Sequence, residues 1–208
     1  MKLIELHVNE YLDILLSDAP APGGGSVSAL AGAQGAALMA MVCDLTTSKE
    51  KYADEHALCA EIREKAGALY EGFAKAVDDD TDAFNLVSNA FKMPKGTDEE
   101  KAARKKAIAD GTLEATKVPY HVMEMAHEGL ALAERLQGHY NRNCDSDYGV
   151  GVLNLLTCMR GALLNVKINL PGVKDEALAE EYAKTGQAWI EEGEKIAERI
   201  YAEIEEGL

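Results

Sequence analysis

Apolar residues recur at steps of three and four over most of the chain, and no stretch alternates with the period of two that marks a strand. Leu3 to Leu16 has spacing suited to a short helix, which Pro20, Pro22 and the run Gly23-Gly24-Gly25 bring to an end. Ser26 stands where an N-cap would open a second helix, in which Leu30, Ala33, Ala37, Met41 and Leu45 repeat at helical spacing. Gly32, Gly35 and many alanines leave this helix little bulk, so neighbouring backbones can approach it closely. A long third helix is predicted from near Glu50 to Phe91, stopped by Met93-Pro94-Lys95-Gly96. Thr97 and Glu100 form a capping box for a fourth. Pro119 should kink or interrupt that helix before the pattern resumes from Tyr120 to Leu136. After the polar segment Gly138 to Asp147, a fifth helix runs to near Leu170, where Pro171-Gly172 ends it. A sixth follows from Asp175 to Glu205. The pattern therefore predicts an all-α fold: one domain, residues 1–208, built as a bundle of about six helices.

Two positions break the pattern in ways that point to chemistry. Cys59, Ile62, Ala66, Tyr70, Phe73, Val77, Asp80, Phe84, Val87 and Phe91 follow at steps of three or four, so a carboxylate occupies one place on a core-facing stripe. Asp78, Asp79 and Asp82 fall off the stripe and should face water. A carboxylate on an apolar stripe costs free energy unless paired or neutralised, and desolvation raises its pKa toward a useful acid/base range. Asp80 thus either caps a neighbouring element, pairs with a buried arginine, or serves as an acid/base group. On the fifth helix, Asp147, Asn154, Cys158, Gly161, Asn165 and Asn169 share a narrow arc opposite the apolar stripe of Val152, Leu156, Met159, Leu163 and Val166. Short amides, a thiol and a glycine are unlike a solvated face. They suit a polar wall against a ligand, or an inter-helix hydrogen-bond ladder.

Charge and composition narrow the classes. Hydrophobic residues are 47% and charged residues 27%, as in a soluble globular chain rather than a disordered one. A net charge of −15 argues against nucleic acid and anionic membrane surfaces as partners. The longest apolar stretches are interrupted before the ~20 residues of a membrane span, and the N-terminus lacks a signal-peptide pattern. Cys43, Cys59, Cys144 and Cys158 show no paired spacing, which suits reduced thiols in a cytoplasmic protein. Glu124-Met-Ala-His127 is an E-x-x-H pattern, but a di-iron bundle needs a second copy that the sequence lacks, so no metal is expected. Gly23-Gly24-Gly25-Ser26 lacks the Lys-Ser/Thr ending of a phosphate loop and reads alone as a flexible connector.

Taken in order, Pro20-Ala-Pro-Gly-Gly-Gly-Ser-Val27, Leu45-Thr46 with Lys49 to Tyr52, Val77-Asp-Asp-Asp-Thr-Asp-Ala-Phe84, Met93-Pro94-Lys95, Asn143-Cys-Asp-Ser-Asp147, Gly161-Ala162 and Asn165-Val-Lys-Ile-Asn-Leu170 carry a resemblance. Over essentially the whole chain they resemble the cyclodeaminase/cyclohydrolase family of tetrahydrofolate one-carbon metabolism. The resemblance implies a helical bundle that dimerises, with Asp80 as catalytic acid/base and Asp147, beside Ser146, orienting it or steadying a cationic one-carbon bridge. Gly23, Gly24, Gly25, Ser26, Asn165 and Asn169 would line the folate site. Lys49, Lys51, Lys95, Arg142 and the start of the second helix are candidates for the anionic tail. No metal, redox group or other tightly bound cofactor is implied, a tetrahydrofolate derivative being the substrate. The implied activity is methenyltetrahydrofolate cyclohydrolase. The alternative is formiminotetrahydrofolate cyclodeaminase, and a more distant one is a non-catalytic folate-binding or scaffold bundle.

Overall fold

The helices form where the periodicity puts them. A computed structural model, which describes residues 2–208, contains α1 (Val8–Leu16), α2 (Gly24–Thr47), α3 (His56–Lys92), α4 (Asp98–Leu136), α5 (Asp145–Asn169) and α6 (Glu176–Gly207). Short 3₁₀ turns span Leu3–Glu5, Glu50–Glu55, Arg142–Cys144 and Leu170–Gly172, and no strand occurs among the described residues. The third helix thus begins at His56, because non-helical dihedrals at Tyr52 hold the preceding turns apart from it. α2, α3, α4 and α5 form a four-helix ring in which each packs on the next, and α6 lies against α4 and α5. Phe73, Ile62, Met123, Leu130, Leu155 and Met159 fill the centre, each fully buried.

Local chemistry explains the boundaries. Thr97 Oγ1 accepts from the Glu100 N–H at 3.2 Å while Glu100 reaches back to the Thr97 N–H at 3.0 Å, which completes the capping box at the start of α4. Pro119 does not interrupt α4, which runs unbroken from Asp98 to Leu136. Proline has no N–H to offer the carbonyl four residues earlier. That carbonyl, on Ala115, accepts instead from Asn169 Nδ2 of α5 at 2.8 Å. The helix continues because another helix satisfies the group that proline leaves open.

α2 and α5 run antiparallel in very close contact. A Cβ at Gly35 would lie 2.8 Å from the Gly151 carbonyl oxygen, so this crossing admits no side chain. The two helices also satisfy the length and hydropathy of membrane spans, but two thirds of the most apolar window of α2 is buried inside the bundle. What remains outside is a largely uncharged face: Val27, Met41 and Leu45 of α2 beside Val150, Leu153, Leu164 and Ile168 of α5 are all exposed.

α3 and α4, with 37 and 39 residues, outrun α2 and α5, with 24 and 25. Their hairpin therefore overhangs the bundle by several turns. This corrects the reading of α3 as continuous core stripe. Phe84 and Phe91 are 39% and 56% exposed, because beyond Asp80 the stripe leaves the ring and faces a recess. Tyr70, at 40%, looks out between α2 and α3 instead.

Candidate active site

The recess is built where α2 begins. Ser26 does not cap its own helix; the N-cap is Gly23, which has no side chain to offer. The first N–H groups of a helix lack internal partners and form its positive end. Asp80 of α3 meets them, its Oδ2 accepting from the Ser26 N–H at 2.8 Å. The buried Ser26 hydroxyl lies 2.8 Å from the Val77 carbonyl oxygen and 3.1 Å from the same Asp80 oxygen, so it donates toward α3. Asp80 therefore does cap a neighbouring element, and it does so facing a cavity.

That cavity has a volume of about 330 Å³ and is bounded by Pro20, the three glycines, Asp80, Phe84, Asn165 and Asn169, among others. Asp80 Oδ1 accepts no hydrogen bond among the described residues. Burial raises the Asp80 pKa above the ordinary 3.8, and the two bonds from Ser26 oppose that rise without cancelling it. The result is a carboxyl fixed by one oxygen, unpartnered at the other, and readier than a surface aspartate to hold a proton.

The triglycine exists for space rather than for dihedral freedom. Gly138 is the one glycine with positive φ among the described residues, so none of Gly23, Gly24 or Gly25 needs the left-handed region. A Cβ on Gly25 would sit 2.0 Å from Asp80 Oδ1 and 2.4 Å from its Cγ. A bare backbone here lets the carboxylate seat on the helix start.

The polar arc of α5 divides its work. Asn165 Nδ2 donates to its own helix at the Gly161 carbonyl, 2.9 Å away, and Asn169 Nδ2 serves both Ala115 and Asn165. Both side chains nonetheless line the cavity. Cys158 is wholly buried, and Gly161 lies over Ser28 of α2, so that part of the arc is inter-helix packing.

The other expected site residues lie elsewhere in the chain. Lys49, Lys51, Ser146 and Asp147 gather at the far end of the antiparallel α2–α5 pair. Along α5, Asp147 is about 27 Å from Asn165, at 1.5 Å per residue. Asp147 therefore does not orient Asp80 within one chain. Arg142, another expected tail contact, pairs with Asp145 at 3.1 Å. His127 and Glu124 separate, His127 meeting Glu192 at 2.9 Å and Glu124 meeting His121 at 3.0 Å. Asp78, expected in water, is half-buried and accepts the Leu3 N–H at 2.6 Å, which ties the N-terminal turn to α3.

Tyr11 escaped the sequence reading. Its side chain is buried, its hydroxyl has no partner among the described residues, and the Asp80 charge adds to burial in raising its pKa. The signal was weak: one tyrosine in a short amphipathic helix.

An all-α bundle with a desolvated carboxyl seated on a helix start, in a cleft of glycines and amides, defines a small-molecule acid/base site. Residues 7–188 match the family model described as formiminotransferase-cyclodeaminase, and the chain belongs to that family. It is 41% identical over 197 residues to a methenyltetrahydrofolate cyclohydrolase of Methylorubrum extorquens, covering 95% of each chain. It is 31% identical over 185 residues to the formimidoyltransferase-cyclodeaminase of Gallus gallus, matching 89% of this chain but 34% of that protein. The crystal structure of a formiminotetrahydrofolate cyclodeaminase from Thermotoga maritima superposes with a TM-score of 0.79 at 25% identity, covering 99% of this chain and 96% of that one.

Proposed function

We propose that the chain hydrolyses 5,10-methenyltetrahydrofolate to 10-formyltetrahydrofolate, with Asp80 as the acid/base group. The observation that carries this reading is the Asp80 carboxyl at the cavity wall, held through Oδ2 by Ser26 while Oδ1 has no partner among the described residues. Its support among relatives is the full-length likeness to a stand-alone cyclohydrolase. In the substrate one carbon bridges N5 and N10 as an amidinium cation. Water adds to that carbon as Asp80 accepts one of its protons. The proton then passes from Asp80 to N5 as the carbon–N5 bond breaks; the carbinol proton leaves to solvent and the formyl group stays on N10. A raised carboxyl pKa suits both halves of this transfer. The reading needs no cofactor beyond the folate itself.

The alternative is cyclodeamination of the N5-formimino compound, in which the same carboxyl protonates departing ammonia while N10 attacks. The solved relative named a cyclodeaminase keeps it in view. Purified protein separates the two: loss of methenyl absorbance beyond the spontaneous rate, or ammonia release from the formimino substrate. Turnover of neither removes the enzyme reading.

The reading extends to a homodimer formed through the uncharged α2–α5 face. A two-fold axis across that face would bring the partner's Lys49, Lys51, Ser146 and Asp147 over the Asp80 cleft, because the two residue sets lie at opposite ends of the same antiparallel pair. Asp147 would then meet the cationic bridge from the second subunit.

A further inference from the structure

α1 is held to the bundle at two places. The turn before it is tied to α3 by Asp78, whose carboxylate accepts from the Leu3 N–H at 2.6 Å and the Ile4 N–H at 3.4 Å. Asp78 stands two positions before Asp80, so this tie sets the N-terminal segment beside the turn of α3 that carries the acid/base carboxyl. The second anchor is Tyr11, the one buried residue of α1, whose ring is part of the main core. Val8, Leu12 and Leu16 on the same helix are exposed. α1 is therefore lightly attached, through one side chain and one turn.

Two polar atoms at this junction lack partners, and they are complementary. The buried Tyr11 hydroxyl bonds to nothing among the described residues. Asp80 Oδ1 accepts nothing either, since Oδ2 takes both Ser26 donors. A buried hydroxyl without a partner destabilises a fold, and phenylalanine would fill the same space without that cost. The Asp80 charge and burial both raise the Tyr11 pKa, so the phenol stays a donor wherever Asp80 titrates. The other charges nearby are engaged or turned away. Asp80 is the one titratable side chain lining the cleft, to which α4 brings Ala115 and α5 brings Asn165, Ile168 and Asn169. On α3 itself, Asp78 faces Leu3 and Ile4, Asp79 pairs with Lys75, and Asp82 is exposed.

We propose that Tyr11 is a positioning residue for the acid/base step, its hydroxyl donating to Asp80 Oδ1 whenever that carboxyl is ionised. The inference rests on the acid/base reading of Asp80. Ser26 then holds one oxygen and Tyr11 the other, and the light attachment of α1 allows the small movement that closes the bond. A carboxylate has about four acceptor sites, so the two anchors leave room for the reacting water. Protonation of Asp80 weakens the hold of Oδ1 on the phenol, so the contact tightens in one half of the proton transfer and loosens in the other.

Tyr11→Phe keeps the ring and removes the donor. It should move the acid limb of kcat/KM for methenyl hydrolysis upward by about one pH unit, the scale of one lost hydrogen bond to a charged group. Above that limb kcat/KM should stay within a few-fold of wild type. Tyr201→Phe, at an exposed position on α6, should leave the limb in place. An unmoved limb in Tyr11→Phe, or an equal shift in Tyr201→Phe, would overturn the assignment. Carbon NMR of protein labelled at the tyrosine Cζ reads the contact without any folate. Of the eight tyrosine resonances, the one absent from Tyr11→Phe should shift as pH rises through the Asp80 value and stay flat in Asp80→Asn. A flat Tyr11 signal in wild type, or a titration that survives in Asp80→Asn, rejects the bond. A Tyr11 titration that depends on Asp80, found without turnover of either folate substrate, rejects the enzyme reading and keeps the bond.

Discussion

Replacing Gly25 with alanine tests the site through one atom. The added Cβ would lie 2.0 Å from Asp80 Oδ1, where ordinary contact begins near 3.4 Å. The carboxyl must therefore retreat by about 1.4 Å, which takes the 2.8 Å bond from the Ser26 N–H beyond hydrogen-bonding range. Overpacking of this kind costs about 1–3 kcal/mol, offset in part by the better helix propensity of alanine. The neighbouring glycine is the control: at Gly24 a Cβ would meet Asn165 Nδ2 at 3.5 Å, an ordinary contact. We expect Gly25→Ala to lower kcat for methenyl hydrolysis about 100-fold or more, the scale of a displaced acid/base group. Gly24→Ala should keep kcat within a few-fold and act mainly on KM. Absorbance kinetics and thermal unfolding followed by circular dichroism read both variants. A folded Gly25→Ala with kcat near wild type would refute the claim that Asp80 works from its seat on α2.

Three further substitutions bear on the same site. Asp80→Asn should abolish about 99% of turnover or more. Because the native carboxyl has a raised pKa, the stability it contributes is present below about pH 3.8 and lost as pH rises through the folded value, so Asp80→Asn should gain in Tm over wild type across that rise. Calorimetry at pH 3 to 7 checks the sign, and a variant that loses ground with rising pH would contradict it. Ser26→Ala removes a buried hydroxyl bonded to α3, with an expected cost of about 1–2 kcal/mol in denaturant unfolding. It should also move the acid limb of kcat/KM upward, since Asp80 loses a donor that favours its ionised form. If the partner supplies Asp147, refolding an equal mixture of inactive Asp80→Asn and Asp147→Asn chains should restore about a quarter of wild-type turnover, since half the dimers then hold one intact site. No recovery would return Asp147 to a role outside catalysis.

Helix order, the α4 capping box and the anomaly at Asp80 were all legible in the sequence, because each is a local pattern read within one or two turns. The use of Ser26 was not. A serine after three glycines is a natural N-cap by local rule, yet its hydroxyl turns to α3, and a carboxylate 54 positions away takes over the capping. Phe84 and Phe91 follow the core stripe in perfect register, but periodicity carries no information about where α2 and α5 stop supporting α3. Lys49, Lys51, Ser146 and Asp147 follow the family pattern, and the pattern does not say which end of the antiparallel pair each motif occupies.

Pro119 gives the cleft a dependence that contact with substrate would not reveal. Asn169 is held in part by a carbonyl that a proline one turn further along α4 has left without its usual partner. Any residue other than proline would restore a competitor for that carbonyl from within α4. The substitution that improves the helix by ordinary propensity thus removes a reason for the amide to stay where it is. Helix regularity and cleft order are traded against each other at this position, so stabilising α4 at residue 119 and keeping the site intact are opposing engineering goals.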